Sequence, residues 1–209
     1  VLNVYNERLL RLLAETQIPK VFLDTSSLVS PDELNGDLLL MESRNSVRNI
    51  TAHLLEKGCT LPGFMGDIGY AQSNRERYEG FCQALMDAGK TPNPSLCLTT
   101  PLGIDSYREE IDSFLSSLSR MPDAFVCASD YVACILMQLL EKRGLRVPED
   151  VYLTGLDDDN TLPNFGYSMQ YLPSVIDFSE AAAKLLIERV EAGNALPEPE
   201  RRIFTTHMK

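Results

Sequence analysis

The chain has 209 residues, 44% of them hydrophobic, which is enough to bury a core as one large or two small domains. Its 30 acidic residues outnumber 19 Lys and Arg, and the net charge of −11 argues against nucleic-acid binding by this segment, because a phosphate backbone would be repelled. The five cysteines are odd in number and lack metal-site spacing, which predicts buried free thiols in a reducing compartment.

Short apolar runs alternate with helical patterns along the chain. Runs bounded by turn residues predict buried strands at residues 20–24, 37–42, 61–66, 95–99, 123–128 and 151–156. Apolar residues spaced by three and four predict helices at residues 44–57, 73–88, 105–119, 130–143 and 179–191. Strands that alternate with helices of this length favour βαβ units and a mostly parallel sheet. We therefore expect an α/β protein with two lobes.

Several predicted helix ends carry local signals. Residues 73–76, which begin with Ser73, fit a capping box, and Asp130 fits the N-cap of its helix. Gly58, Gly89 and Gly144 stand where C-terminal caps belong, since glycine accepts the left-handed backbone of such a cap. These signals support the predicted helix bounds.

The strand predicted at residues 151–156 is followed by three aspartates, beginning with Asp157. In an open α/β sheet, small molecules bind beyond the carboxyl ends of the strands. Asp157 is therefore a candidate to accept hydrogen bonds from the hydroxyls of a ligand. The alternative is that the three carboxylates form a solvated turn and cap the segment that follows.

The chain carries no recognisable enzyme pattern. His53 and His207 are far apart, and no phosphate loop, Gly-x-Ser-x-Gly or His-Glu-x-x-His motif is present. The three glycines within residues 63–69 lack the spacing of a dinucleotide-binding loop. We therefore expect no catalytic residue, no metal site and no cofactor.

Two further features concern cellular location. No segment is long and apolar enough to span a bilayer, and the first residues lack a signal-peptide pattern. We therefore expect no membrane partner and a cytoplasmic protein.

A series of motifs along nearly the whole chain resembles the effector-binding core of the lactose-repressor (LacI/GalR) family of bacterial transcription regulators. That family has the fold of type I periplasmic binding proteins. The motifs are residues 18–24, 53–58, 63–66, Ser73 with residues 77–81, then 128–133, 144–150 and 155–158. Each is weak alone, but their order and spacing together are specific.

The resemblance implies a clamp of two lobes joined by crossover strands. Residues 1–41 and 177–193 would form an incomplete N-terminal lobe, and residues 42–176 and 194–209 the C-terminal lobe. A small molecule, commonly a sugar or a nucleobase-like metabolite, would lie in the cleft. Family members act as dimers and carry a helix-turn-helix module that has no counterpart in this chain. The resemblance thus implies a repressor with a sugar effector, which contacts operator DNA through another module.

Site residues follow from the resemblance together with helix geometry. Arg77 lies one helical turn after Ser73, so both would face the cleft, and the family places a ligand-contacting arginine at this position. A guanidinium offers a rigid fork of donors that suits vicinal hydroxyls or a carboxylate. The alternative is that Ser73 only caps the helix and Arg77 forms a surface ion pair.

Asp24 and Ser129 complete the candidate ligand-binding set of Arg77, Asp157, Asp24, Ser73 and Ser129. Asp24 ends a predicted strand of one lobe and Ser129 ends a strand of the other, so the two would approach a ligand from opposite walls. The alternative for each is a local structural role.

The chain also departs from the family pattern. Residues 100–103 lack the aromatic residue that stacks on the ligand in many sugar and purine sensors, and the chain has no Trp. Tyr70, Tyr131 or Phe165 would have to substitute for it. Glu42-Ser43 replaces a common Asp-Asn pair, and Ser46 replaces a common glycine.

Two other classes of protein remain open. A solute-binding receptor of a sugar transport system would share the clamp, but its gene would encode an export signal. An enzyme with a doubly wound fold would need an acid, a base or a nucleophile that the motifs do not supply.

Overall fold

The computed structural model describes residues 1–103, 105–156, 171–172, 175–193, 198–204 and 207–208. Its helices are α1 (Glu7–Glu15), α2 (Arg44–Glu56), α3 (Gln72–Asp87), α4 (Tyr107–Ser117), α5 (Asp130–Lys142) and α6 (Val175–Ala192). Its strands are β1 (Val21–Leu23), β2 (Asp37–Met41), β3 (Pro62–Met65), β4 (Cys97–Leu98), β5 (Ala124–Cys127), β6 (Tyr152–Thr154), β7 (Tyr171–Leu172), β8 (Arg201–Phe204) and β9 (His207–Met208).

The first sheet has the strand order β1-β2-β8 and is parallel throughout. Successive side chains of a strand point to opposite faces. Leu38 and Leu40 accordingly pack with Leu10 of α1, whereas Leu39 packs with Leu185 of α6. The two helices cover opposite faces of this sheet, which forms the core of the first lobe.

The second sheet has the parallel order β4-β3-β5-β6. Ala124 and Val126 pack with residues of α2 and α3, whereas Phe125 and Cys127 pack with residues of α4 and α5. Because both faces are covered, all four positions of β5 are buried, and the strand is an unbroken apolar run in the sequence. A short antiparallel pair, β7 with β9, lies outside the two larger sheets.

The prediction of an α/β fold with parallel sheets flanked by helices is confirmed. Each predicted strand and helix has a counterpart within a few residues. Helix α1 was not predicted, although Asn6 caps it by accepting a hydrogen bond from the Leu9 amide at 3.0 Å. The pattern of a polar cap before an apolar, helix-spaced run was available to predict it.

Strand β8 lies in a different lobe from the one predicted for it. The division assigns residues 194–209 to the C-terminal lobe, but Arg201–Phe204 pairs with β2 and extends the first sheet. The Phe204 ring packs edge-on against Phe178 of α6, with centroids 5.2 Å apart. Backbone pairing and this contact therefore place the strand in the first lobe.

Two predicted N-caps are wrong. Helix α3 begins at Gln72 with Ala71 as N-cap, so Ser73 does not cap it. Helix α5 is capped by Ser129, whose hydroxyl accepts a hydrogen bond from the Val132 amide at 3.3 Å. The Asp130 carboxylate instead accepts from the Leu156 amide at 2.6 Å, and so joins α5 to the end of β6.

The predicted C-caps are confirmed, because Gly58, Gly89 and Gly144 all have positive φ angles, of 98°, 70° and 76°. The five cysteines are free thiols, as predicted, and all but the half-buried Cys82 are buried. Burial raises the pKa of the Cys97 thiol to about 11, so this thiol is protonated at neutral pH.

Helices α2 and α3 pack closely against each other at Gly80. A Cβ atom at this position would overlap the carbonyl oxygen of Arg44 and lie 3.1 Å from the amide nitrogen of Arg48. We expect Gly80→Ala to destabilise the protein by about 1–3 kcal/mol, although alanine is the better helix former, because the two backbones must separate. Urea unfolding measures the change, and Met86→Ala at an exposed position of α3 is the control. A stabilised Gly80→Ala variant would contradict the close packing.

Candidate functional site

A cleft of about 330 Å³ lies where the carboxyl ends of β1 and β2 face the start of α3. Its volume is within the range of small-molecule sites, roughly 300–1,000 Å³. The residues that line it are Leu2, Asn3, Tyr5, Leu23, Asp24, Met41, Tyr70, Ala71, Ser73, Asn74, Arg77, Ser129 and Phe178.

Backbone hydrogen bonds join the two lobes beside this cleft. Ser26 and Ala71 form an antiparallel bridge. The Gln72 amide donates to the Thr25 carbonyl at 2.9 Å, and the Ser27 amide donates to the Tyr70 carbonyl at 3.1 Å. This contact brings the end of β1 next to the first turn of α3.

Asp24 and Ser73 meet directly across the two lobes. The Ser73 hydroxyl donates to Oδ2 of Asp24 at 2.6 Å, and the Thr25 amide donates to Oδ1 at 2.8 Å. Asp24 has a left-handed backbone with φ of 64°, a conformation that aspartate tolerates better than most residues. The carboxylate is thus held in place by groups of the protein.

Arg77 lines the same cleft from the second turn of α3. Its guanidinium donates a hydrogen bond to the carbonyl of Ala128, just beyond the end of β5. That bond orients the planar fork at the carboxyl end of the second sheet. A fork fixed in this way suits recognition of paired acceptors.

The structure brings together four of the five predicted site residues: Asp24, Ser73, Arg77 and Ser129 all line the cleft. Ser129 also caps α5, so it has the structural role that was its alternative. Asp157 lies outside the described residues. A ligand role for each of the five stays a prediction.

Aromatic side chains form part of the cleft wall. Tyr70, one of the three predicted substitutes for a stacking residue, packs edge-on against Tyr5 with ring centroids 4.9 Å apart. Tyr131 instead packs against Tyr107 and is absent from the lining of this cleft. Phe165 lies outside the described residues.

Three further residues line the cleft that were not predicted as site residues: Tyr5, Asn3 and Phe178. Tyr5 precedes α1 and Phe178 lies in α6, so the two residues are distant in sequence from the remaining lining. No spacing pattern joins such residues, because chain topology alone brings them together.

Glu42 and Ser46, two residues that depart from the family pattern, are hydrogen-bonded to each other. The Glu42 carboxylate accepts hydrogen bonds from the Asn45 amide at 2.7 Å and from the Ser46 hydroxyl at 2.9 Å. Glu42 precedes the N-cap residue Ser43, and its side chain caps the start of α2. The Ser46 hydroxyl donates to one oxygen of the Glu42 carboxylate.

The described part of the chain contains neither a cluster of metal ligands nor a membrane-spanning helix. Within the residues that the structure describes, no three His, Cys, Asp or Glu side chains are grouped so as to hold a metal ion. Over the same ranges, no helix is both long enough and apolar enough to cross a bilayer.

Comparisons with known proteins agree with this architecture. Residues 51–208 match the family model of the periplasmic binding protein-like domain. The HTH-type transcriptional repressor PurR of Aliivibrio salmonicida is 29% identical over 97% of this chain, and the chain spans 59% of the length of that relative.

Two solved structures share the fold. A complex of the transcriptional regulator CelR with cellobiose is 23% identical with a TM-score of 0.76, covering 97% of this chain and 68% of its own. A LacI family transcriptional regulator from Enterococcus faecium with bound ribose is 18% identical with a TM-score of 0.72, covering 90% of this chain and 77% of its own.

Proposed function

Because this chain belongs to the family of periplasmic binding protein-like domains, in the form that LacI-family regulators use to bind effectors, we propose that its cleft binds a small molecule that controls DNA binding. The observation that carries the proposal is the convergence of Asp24, Ser73 and Arg77 on one cleft at the carboxyl ends of the strands. Ligands bind at this edge in open α/β sheets.

The effector we propose is a sugar. A carboxylate, a serine hydroxyl and a guanidinium within one cleft can pair with several hydroxyl groups at once, which is the chemistry of carbohydrate recognition. The tyrosine pair adds an aromatic surface for the apolar face of a sugar ring. The bound cellobiose and ribose of two structural neighbours support this class of ligand.

Ser129 and Asp157 complete the proposed binding set. Ser129 lies on the wall formed by the second lobe. Asp157 follows β6 in sequence after Gly155 and Leu156, near the carboxyl end of the strand, where a carboxylate would accept hydrogen bonds from sugar hydroxyls.

For the whole protein we propose a cytoplasmic, dimeric repressor of the LacI type. Its DNA contact would be made by a module other than this acidic segment, whose net charge is −11. A sugar can shift the regulator between two lobe arrangements only by binding one of them more tightly. The inter-lobe contact between residues 25–27 and 70–72 is a candidate to differ between the two arrangements.

A solute-binding receptor of a sugar transport system is the alternative function. The fold of the matched family, which such receptors share, favours it. Reading the coding sequence upstream of Val1 distinguishes the two, because a receptor would carry an export signal and a regulator would carry a helix-turn-helix module.

A thermal-shift screen of the purified protein tests the proposed effector class. The panel contains ribose, cellobiose, further mono- and disaccharides, sugar phosphates and nucleobases. We expect a sugar at 100 times its dissociation constant to stabilise the protein by about 2.7 kcal/mol, which for a chain of this length raises Tm by roughly 5–10 °C. If only a nucleobase stabilises the protein, the effector is of the purine type and the proposal of a sugar is wrong. A folded protein that no compound stabilises would contradict small-molecule sensing.

A further inference from the structure

The Asp24 carboxylate is occupied by groups of the protein itself. It accepts hydrogen bonds from the Ser73 hydroxyl at 2.6 Å and from the Thr25 amide at 2.8 Å. A carboxylate offers about four lone-pair positions. Each oxygen of Asp24 thus already accepts one hydrogen bond from within the protein.

The position of this carboxylate does not depend on a ligand. The Asp24 amide donates to the Leu39 carbonyl at 3.0 Å, which anchors the residue to β2. Its positive φ and the bond from the Thr25 amide then fix the direction of the side chain. The carboxylate is thus a fixed acceptor in the cleft wall.

The bond to Asp24 decides what the Ser73 hydroxyl presents to the cleft. A hydroxyl group has one proton to donate and lone pairs that accept. Since the Ser73 proton points to Asp24, the Ser73 oxygen has only lone pairs available for a ligand. Ser73 lines the cleft.

We propose that Asp24 is a positioning residue that turns Ser73 into a hydrogen-bond acceptor, so that this wall of the cleft selects the donor groups of a ligand. This inference rests on the proposed function of the cleft and refines it. It gives Asp24 the role of orienting the Ser73 hydroxyl. A ligand would place O–H or N–H groups against this wall and its own acceptors toward Arg77.

The substitution Asp24→Asn tests the proposal by reversing the polarity of the wall. The new amide can donate to the Ser73 oxygen, whose proton would then point into the cleft. Asparagine also tolerates the left-handed backbone. Inorganic phosphate is the probe, because its oxygens are mainly acceptors and Arg77 lies in the same cleft.

The control is Asp24→Ala, which removes the same negative charge without supplying a donor. Thermal-shift titrations with phosphate compare the two variants and the wild type. We expect Asp24→Asn to bind phosphate about tenfold more tightly than Asp24→Ala, since each hydrogen bond to a charged group contributes about 1.5–3 kcal/mol. Equal or weaker binding by Asp24→Asn, including no binding by either, would overturn the proposal.

A second comparison applies even if the alanine variant is unstable. Adding Ser73→Ala to Asp24→Asn removes the hydroxyl and keeps the amide at position 24. We expect this double variant to bind phosphate about tenfold more weakly than Asp24→Asn, because the hydroxyl that would donate to phosphate is gone. Equal binding by the two variants would show that position 24 does not orient Ser73. Neither result depends on the sugar screen, so the two proposals can fail separately.

Discussion

Replacing Arg189 by methionine is expected to destabilise the protein by about 3–5 kcal/mol, because it leaves the carboxylate of Asp37 buried without its partner. The two side chains are 5% and 2% exposed. Nε of Arg189 donates to Oδ2 of Asp37 at 2.8 Å, and a terminal nitrogen donates to Oδ1 at 2.6 Å. The pair is thus bidentate as well as buried.

This ion pair joins three segments of the first lobe. Arg189 lies in α6 and Asp37 begins β2. Arg189 also donates to the Glu198 carbonyl at 2.9 Å, and the Glu200 amide donates to Asp37 at 2.7 Å. The pair therefore holds the segment that leads into β8 against β2, and its loss should loosen the sheet that carries Asp24.

Urea unfolding of Arg189→Met measures the effect. The double variant Asp37→Leu with Arg189→Met removes both charges and should recover most of the lost stability, since an apolar pair of similar volume replaces the ion pair. Arg201→Ala is the matched control: its ion pair with Asp32 is exposed, and its loss should cost under about 1 kcal/mol. A loss below about 1 kcal/mol in Arg189→Met would show that water reaches the pair.

Replacing Arg77 by alanine is expected to weaken binding of the sugar effector by about 10- to 100-fold, because charge-assisted hydrogen bonds contribute about 1.5–3 kcal/mol each. Arg77 lines the cleft, and its bond to the Ala128 carbonyl sets the direction of the guanidinium. Arg77→Lys should also bind weakly, because an ammonium cannot reproduce a planar fork.

Thermal-shift titrations with the sugar that most stabilises the wild type measure this change. Arg48→Ala is the control, since Arg48 pairs with Asp87 between α2 and α3 and is absent from the cleft lining. The Tm of each variant without sugar separates lost binding from lost folding. An Arg77→Ala variant that binds the sugar as the wild type does would remove Arg77 from the binding set.

The elements of the fold could be predicted because their signals are local. β5 is an apolar run and α5 has helical spacing, and each pattern reflects burial of that segment's own side chains. C-caps such as Gly144 could also be predicted, since the positive φ of such a cap is a property of one residue and favours glycine. The N-caps at Ser73 and Asp130 were mispredicted because short polar side chains serve equally well in tertiary contacts.

The candidate site could be predicted in part from the sequence. Arg77, Ser73, Asp24 and Ser129 were named from motif position, and all four line the cleft. Tyr5 was not, because it precedes the first predicted element and reaches the cleft only through the packing of α1 against the first sheet.

The amino-acid sequence by itself therefore determines the α/β class, the helices and strands, and the general position of the site. Hydrophobic periodicity and strand ends can be recognised within one short segment of the chain. Folding in three dimensions decides the rest. The bond between Ser73 and Asp24 spans 49 residues and the pair of Arg189 with Asp37 spans 152. Such contacts depend on how the lobes and β8 come together. A hydrogen bond at 2.6 Å needs both partners in exact position, so neither partner can be identified before the tertiary structure is known.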